Sequence, residues 1–327
     1  MMNSQNSALA ERCIVPIVCV DSMYSALKVG MKKKKGREMV ATLENKVAIV
    51  TGANTGIGEV TARELAALGA HTFLACRNVG QTETVIEAIK KKTGNQKVER
   101  LALDLASFES VRACVDEFKS RDLPLHLLVN NAGVAGLTGL THDGFELAFG
   151  VNHLGHFLLT LELLELLKAS SPARIVNVSS TAHYNAKGID YTILREASQS
   201  VTGLPAYEVS KLANVLFTQE LSRRLENTGV TTYALHPGVI ASDIWRHVPA
   251  IVRPIFKLVS KLVMLDVEDG AKTNLYCATA PELEDVSGKY FDDCREKEPN
   301  RVTKDASLAQ ELWEKSTQWT SPRVSST

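Results

Sequence analysis

The chain has 327 residues, 45% of them apolar, which suits one large α/β domain or two small ones around a substantial core. Lysine plus arginine equals aspartate plus glutamate at 37 each, so no overall charge recruits nucleic acid. The six cysteines (13, 19, 76, 114, 277 and 294) form no CxxC pair, which argues against a disulfide framework or a zinc site and for a reducing compartment.

Residues 1–42 differ in character from the rest of the chain. Up to residue 40 there are seven basic side chains against three acidic ones, with Lys32 to Lys35 and Arg37 clustered. The only apolar run here, 13–20, contains Pro16 and falls short of the roughly 20 residues that a membrane-spanning helix needs. Most of the basic cluster comes after the apolar run, the reverse of a secretory signal. The expectation is a disordered leader; attachment of the basic cluster to an anionic membrane surface is the alternative.

The folded domain is expected over 43–320, with 321–327 as a disordered tail. Residues 47–50 (VAIV) are apolar without alternation, as in a strand buried on both faces. Glycines follow at 52, 56 and 58, and then a helical pattern. Strand, glycine turn and helix N-terminus make an anion site, because backbone N–H groups and the helix dipole face what the turn encloses. Gly52 suits the tight turn, Gly56 the close approach of a diphosphate, and Gly58 the packing of helix on strand. The spacing G-x-x-x-G-x-G is a variant of the dinucleotide fingerprint. Further strands are expected at 71–77, 98–105, 125–130, 173–179, 231–236 and 289–291. Helices are expected at 82–92, at 107–121 capped by Ser107, at 143–169 with interruptions at Gly150 and Gly155, at 205–227 and at 308–319.

This alternation implies right-handed crossovers and a single α/β domain of the Rossmann type, doubly wound: a seven-stranded parallel sheet with helices on both faces. Ligands of such folds sit at the carboxyl ends of the strands. The unusual residues cluster there: the glycine turn, Arg77, Asp104, Asn131-Ala132-Gly133, Ser179/Ser180 and Pro237-Gly238. The second strand ends without an acid to hold a ribose 2′-hydroxyl. Arg77 instead offers a charged, bidentate donor for a 2′-phosphate, which points to NADP(H). Asp104 is placed to accept from the adenine amino group or to form the turn ahead of Ser107.

Tyr207 and Lys211, four apart, share a helical face. An ammonium beside a phenol lowers the phenol pKa from about 10, making Tyr207 a candidate general acid for a carbonyl or base for an alcohol. His153 and His156 lack a third ligand at a recognised spacing, so no metal site is expected. The sequon Asn177-Val178-Ser179 falls in a strand and is expected to be buried. Residues 183–206 would form one wall of a substrate pocket, and 241–265 the other. In the latter, Arg253, Lys257 and Lys261 recur every four residues among apolar ones, as in a basic amphipathic helix. That helix reads as a lid or as a peripheral membrane contact. Such walls suit lipophilic substrates better than sugars or charged acids.

The sequence resembles the short-chain dehydrogenase/reductase family, and within it the retinol-dehydrogenase-like branch. The matching stretches are TGANTGIG at 51–58, NNAG at 130–133, VNHLGHFLLT at 151–160, RIVNVSS at 174–180, YEVSKLANVLFTQEL at 207–221 and TTYALHPG at 231–238. The resemblance implies a catalytic tetrad. Tyr207 transfers the proton, Lys211 tunes it and holds the nicotinamide ribose, and Ser180 bonds the substrate oxygen. Asn152 anchors a water linking Lys211 to solvent. Gly52, Asn54, Thr55, Gly56, Ile57 and Gly58 would cradle the cofactor, with Arg77, Asp104 and Leu105 around its adenosine end. Asn131, Ala132 and Gly133 would line it beside the fourth strand, Pro237 and Gly238 would close over the nicotinamide, and Tyr207 and Lys211 would touch it. The implied activity is NADP(H)-dependent interconversion of a lipophilic carbonyl and alcohol, retinal/retinol first. A steroid or lipid-aldehyde reductase is the alternative, and a non-catalytic NADP-binding scaffold or sensor the alternative of another class; the intact tetrad argues against silence. Members of the branch typically carry an apolar anchoring segment, for which 13–20 is a poor match. The expected location is therefore cytoplasmic or peripheral on the cytosolic face of the endoplasmic reticulum. A homo-oligomer is left open.

Overall fold

The computed structural model describes residues 42–238 and 267–321. The leader up to residue 41, the lid at 241–265 and the tail from 322 lie outside the described residues. The strands are β1 (Val47–Thr51), β2 (His71–Cys76), β3 (Val98–Ala102), β4 (Leu127–Asn130), β5 (Ala173–Val178), β6 (Val230–His236), β7 (Lys289–Asp292) and β8 (Arg295–Glu296). The helices are α1 (Gly56–Ala67), α2 (Val79–Thr93), α3 (Phe108–Lys119), α4 (Leu147–Ala169), α5 (Leu204–Arg224), α6 (Val267–Thr279) and α7 (Ala306–Thr320).

One sheet runs in the order β3-β2-β1-β4-β5-β6-β7-β8. Its first seven strands are parallel, as expected; β8 adds an eighth, antiparallel to β7. The two residues joining them, Asp293 and Cys294, both have positive φ (52° and 55°), the backbone of a tight two-residue hairpin. Neither is the glycine that usually marks such a turn in sequence, which is why the extra strand was not legible.

The unalternating strands are explained by a core on each face. Val47, Ile49, Phe73, Leu128 and Ile175 pack with α3, α4, α5 and α7. Their chain neighbours Ala48, Val50, Leu74, Val129 and Val176 pack with α1, α2 and α6. Each successive side chain thus reaches a different hydrophobic layer, so a polar residue at either register would be buried.

Two local readings change. The sequence pattern gave no signal for α6, which carries Gly270 in its interior. Gly270 and Ala271 are buried, and Asn274 Nδ2 donates to Thr61 Oγ1 on α1 (3.2 Å); the helix is made by packing rather than propensity. In α4, the interruption expected at Gly150 and Gly155 is a change of winding between α-helical Leu147–Phe149 and Gly155–Ala169 rather than a break in the helix. Residues Gly150–Leu154 form a π-helical turn within it. A Cβ on Gly150 would lie 2.3 Å from Thr141 Cγ2, and one on Gly155 2.5 Å from the Leu105 carbonyl oxygen. α4 is also long and apolar enough to cross a membrane, yet 78% of its apolar window is buried inside the fold; its hydropathy is that of a core helix.

Candidate active site

The strand–turn–helix at β1–α1 is held by backbone shape. Gly52 and Gly56 have φ of 62° and 61°, the left-handed region that favours glycine. A Cβ on Gly52 would sit 2.9 Å from Ala132, and one on Gly58 would sit 2.4 Å from both the Gly52 carbonyl oxygen and Asn131 Nδ2. Gly58 therefore lets the first turn of α1 close onto the glycine turn itself. The buried Cys76 thiol accepts the Ala53 N–H (3.1 Å), a support with no sequence signature. Thr55 precedes α1 in extended conformation, Ile57 lies in its first turn, and Asn54 Nδ2 donates to Gln81 Oε1 (3.3 Å).

A buried polar chain joins this turn to the next loops. The Thr51 hydroxyl accepts the N–H groups of Asn131 and Ala132 (both 2.9 Å). It also meets His156 Nε2 at 2.9 Å, while His156 Nδ1 meets the Asn152 carbonyl at 3.0 Å. The carbonyl can only accept, so Nδ1 carries the proton and Nε2 accepts from Thr51. Burial holds this imidazole neutral, its pKa pushed down to about 4. His153 turns the other way, to Ser316 Oγ (2.9 Å). The two histidines serve separate networks, and among the described residues no cluster could hold a metal ion.

The four tetrad residues converge beyond β4 and β5. The Asn152 side chain is spent on protein: Oδ1 accepts from Val134 N (2.8 Å), and Nδ2 donates to Val134 O (3.0 Å) and Ser210 Oγ (2.9 Å). Gly133 lies beside it, where a Cβ would come 3.3 Å from Asn152 Oδ1 and 3.4 Å from Lys211 Nζ. Alternation along the strand separates the serines. Ser179 is buried and donates to the Lys211 carbonyl (2.7 Å), whereas Ser180 is half-buried and its hydroxyl oxygen accepts from Ala182 N (3.2 Å). Asn177 of the sequon is buried and donates to Thr218 Oγ1 (3.0 Å).

The structure corrects the expected effect of Lys211 on Tyr207. Lys211 Nζ donates to the Val178 carbonyl (3.0 Å) and lies 5.5 Å from the Tyr207 ring centre. Burial pushes the Tyr207 phenol up, and the Ser180 hydrogen bond pulls it part of the way back. Burial also brings the Lys211 ammonium down to about 8. Spacing put both residues on one face, but the strand-end carbonyl captured the lysine.

At the adenosine side, the Arg77 side chain is 78% exposed beyond β2. The nearest acids on either side in sequence are Glu64 and Glu83; parallel pairing of β2 with β3 instead brings Asp104 Oδ2 to 3.7 Å. Asp104 Oδ1 also accepts from Ala106 N (2.9 Å), forming the turn ahead of Ser107. Ser107 caps α3 as expected, while the Ser110 hydroxyl accepts from Asp104 N (2.9 Å). The Leu105 side chain is buried in the core. Pro237 and Gly238 (φ 93°) follow His236 at the end of β6, half-buried beside this edge. The glycine cradle, with the N-terminus of the 12-residue α1 opening into it, fits a diphosphate. Arg77 is free enough of its loose partner to take a phosphate. Residues that sequence reasoning missed, Thr51, Cys76, His156 and His183, act through hydrogen bonds across 23 or more positions, and His183 also bonds locally to the Ser180 carbonyl.

A doubly wound sheet with an anion cradle, a serine–tyrosine pair and a buried lysine on one edge defines a dinucleotide-dependent oxidoreductase. Residues 46–250 match the short chain dehydrogenase family model. Human retinol dehydrogenase 12 is 48% identical over 272 residues, covering 83% of this chain and 85% of that protein. Human retinol dehydrogenase 11 is 47% identical over 273 residues, with the same coverage. Among solved structures, an uncharacterised protein from Mycobacterium paratuberculosis is 32% identical with TM-score 0.67, covering 86% of this chain and 96% of that one. An actinorhodin polyketide ketoreductase determined with NADPH is 26% identical with TM-score 0.61, covering 77% and 97%. The chain belongs to the short-chain dehydrogenase/reductase family and is retinol-dehydrogenase-like, an oxidoreductase of CH–OH and C=O groups that uses a nicotinamide cofactor.

Proposed function

We propose that this enzyme interconverts a lipophilic carbonyl compound and its alcohol with NADP(H), retinal and retinol being the leading pair. The observation that carries the reading is the gathering of Ser180, Tyr207, buried Lys211 and buried Asn152 on the edge that bears the glycine cradle, with Gly133 in contact distance of both the Lys211 ammonium and the Asn152 amide. The retinol dehydrogenases at 47–48% identity support the substrate class. Arg77, exposed at the end of a strand without an acid of its own, supports the 2′-phosphate.

The cofactor would be held by Gly52, Asn54, Thr55, Gly56, Ile57 and Gly58 at its diphosphate and by Arg77, Asp104 and Leu105 at its adenosine. Asn131, Ala132, Gly133, Tyr207, Lys211, Pro237 and Gly238 would line its nicotinamide end. When bound, it supplies or accepts the hydride at the carbonyl carbon. In reduction the Tyr207 hydroxyl gives its proton to the carbonyl oxygen, which the Ser180 hydroxyl orients by donating a hydrogen bond; in oxidation the phenolate takes the alcohol proton. Lys211, brought down to about 8 by burial, is protonated below that pH and would hold the nicotinamide ribose beside Tyr207. Asn152 fixes the 132–134 loop that Lys211 Nζ rests against, and keeps only its carbonyl, shared with His156, for a bridging water.

The test is an NADPH-consumption screen over retinal, steroid ketones and medium-chain aldehydes, each repeated with NADH. Fastest turnover of retinal with NADPH is expected. Preference for a steroid ketone would move the substrate, and NADPH binding without turnover of any carbonyl would leave a non-catalytic scaffold instead.

A further inference from the structure

The loop after Ser180 is gripped by a segment more than 110 residues away in the sequence. Asn300 is buried, and its backbone N–H donates to His183 Nε2 (3.1 Å). Its side-chain Nδ2 donates to the carbonyls of His183 (2.8 Å), Tyr184 (3.2 Å) and Ala186 (2.7 Å). The Tyr184 hydroxyl adds a bond to the Glu298 carbonyl (2.7 Å). His183 is fully buried, and burial lowers its pKa, so the ring is neutral. Since Nε2 accepts from Asn300, the single ring proton sits on Nδ1, 2.6 Å from the Ser180 carbonyl oxygen. The His183 N–H donates to the same carbonyl (3.1 Å). The main chain of Ser180 is thus fixed from below by two donors, one of them set by Asn300.

We infer that Asn300 and His183 are positioning residues for Ser180: the Asn300 clamp selects the His183 tautomer that pins the Ser180 carbonyl and so fixes the Ser180 hydroxyl, which accepts from Ala182 N (3.2 Å), on the edge that carries Tyr207. The inference rests on the reading of Ser180 as the group that holds the substrate oxygen. A tautomer is otherwise free to interchange; here a backbone N–H that cannot move away decides it. The clamp is also over-built for turn formation alone. Asn300 Oδ1 already caps the 301–304 turn by accepting Val302 N–H (3.1 Å), and Nδ2 is devoted entirely to the serine loop.

That division of labour gives a clean variant. Asn300→Ser keeps a capping oxygen for Val302 and removes the three Nδ2 bonds. The expected result is unchanged affinity for NADPH and a fall in kcat on the order of tenfold, as a misaimed hydrogen-bond donor produces. Ser180 no longer holds the Tyr207 pKa down as well, so the rate of alcohol oxidation rises at higher pH than in the wild type. The other titratable neighbours of the loop stay silent in that range: Tyr184 and Tyr290, with rings 4.0 and 4.7 Å from His183, are raised, and His236 is near 4. Lys211, near 8 and bonded to the Val178 carbonyl, titrates within that range in the wild type as well, so the shift is read against the wild-type profile. His183→Asn retains a donor at the Nδ1 position and should recover most of the kcat that His183→Phe loses.

The decisive arm is a double-mutant cycle. In a Ser180→Ala background, Asn300→Ser should have no further effect on kcat. An equal loss in both backgrounds, or an unshifted pH profile with only a lower Tm, overturns the positioning role and leaves a structural clamp. If Ser180→Ala alone leaves kcat intact, the site reading itself falls, and that result is separate from any on Asn300.

Discussion

The two halves of the sheet edge solve different problems with different materials. The half over β1–β3 is built from backbone: two left-handed glycines, a third too close to its neighbours for any side chain, and a helix end. Its side chains are few and loosely held, Arg77 being mostly exposed with its acid 3.7 Å away. The half over β4–β6 is built from side chains: Asn152 of α4, Ser179 just beyond β5 and Lys211 of α5 are buried and hydrogen-bonded at 2.7–3.0 Å. A backbone cradle can bind a ligand that all family members share; placing a proton needs individual groups held one by one.

Substitutions can break or sharpen that contrast. The largest effect is expected from Tyr207→Phe, which removes the proton carrier. Turnover should fall by roughly 10²–10⁴-fold while NADPH still quenches protein fluorescence with near wild-type affinity. Substantial remaining activity would remove the tetrad assignment. Arg77→Ala should leave kcat with NADPH at saturation alone and lower the NADPH/NADH ratio of kcat/KM by about 10–100-fold, the loss of one or two charge-assisted bonds. An unchanged ratio would mean that Arg77 serves only Asp104. Gly58→Ala should destabilise the protein by about 1–3 kcal/mol through overpacking, and should weaken cofactor binding more than any single side-chain loss on that half. Calorimetry with and without NADPH reads both; intact cofactor affinity would show that the cradle tolerates reshaping.

The last effect lies in acid and acts on stability rather than on turnover. Burial depresses His153 to about 3 and His156 to about 4, and His236 likewise to about 4, against 6.5 when unfolded. Below 6.5 the unfolded chain takes up protons that the folded one refuses. Their contribution is therefore whole above pH 6.5 and is lost as pH falls toward 4. Urea midpoints should drop across that window, and His156→Gln should flatten the slope. An identical slope in the variant would place the acid sensitivity elsewhere.

Much of the molecule was legible in the sequence because it depends on local periodicity. An unbroken apolar run gave the first strand and strand-like runs between helical patterns gave the other six, glycine spacing gave the cradle, and period-two alternation turned one serine of the pair toward the site while the family pattern selected Ser180. The i, i+4 spacing placed Tyr207 and Lys211 on one face but could not say where the ammonium would point; the Val178 carbonyl settled that through β5. The pairing of Arg77 with Asp104 depends on the β2–β3 register, and the Thr51–His156 bond on how α4 lies against β1. α6 was missed because its helix is stabilised by contact with α1 and its pattern is weak. Such features are fixed by tertiary packing, to which a local window is blind.

The aromatic underside of α4 and α5 has a consequence for how the chain is made. Phe145 and Phe149 meet Trp319, and Phe157 and Phe217 meet Trp313, all from α7. Arg112 also reaches back to the Thr320 carbonyl. During synthesis the sheet and the catalytic helices emerge long before residues 306–320. Until then the nascent chain displays an oily aromatic face of the kind that chaperones bind and that drives aggregation. Stop codons or frameshifts ahead of Trp313 should therefore reduce the amount of soluble protein far more than they alter the chemistry of any molecule that folds.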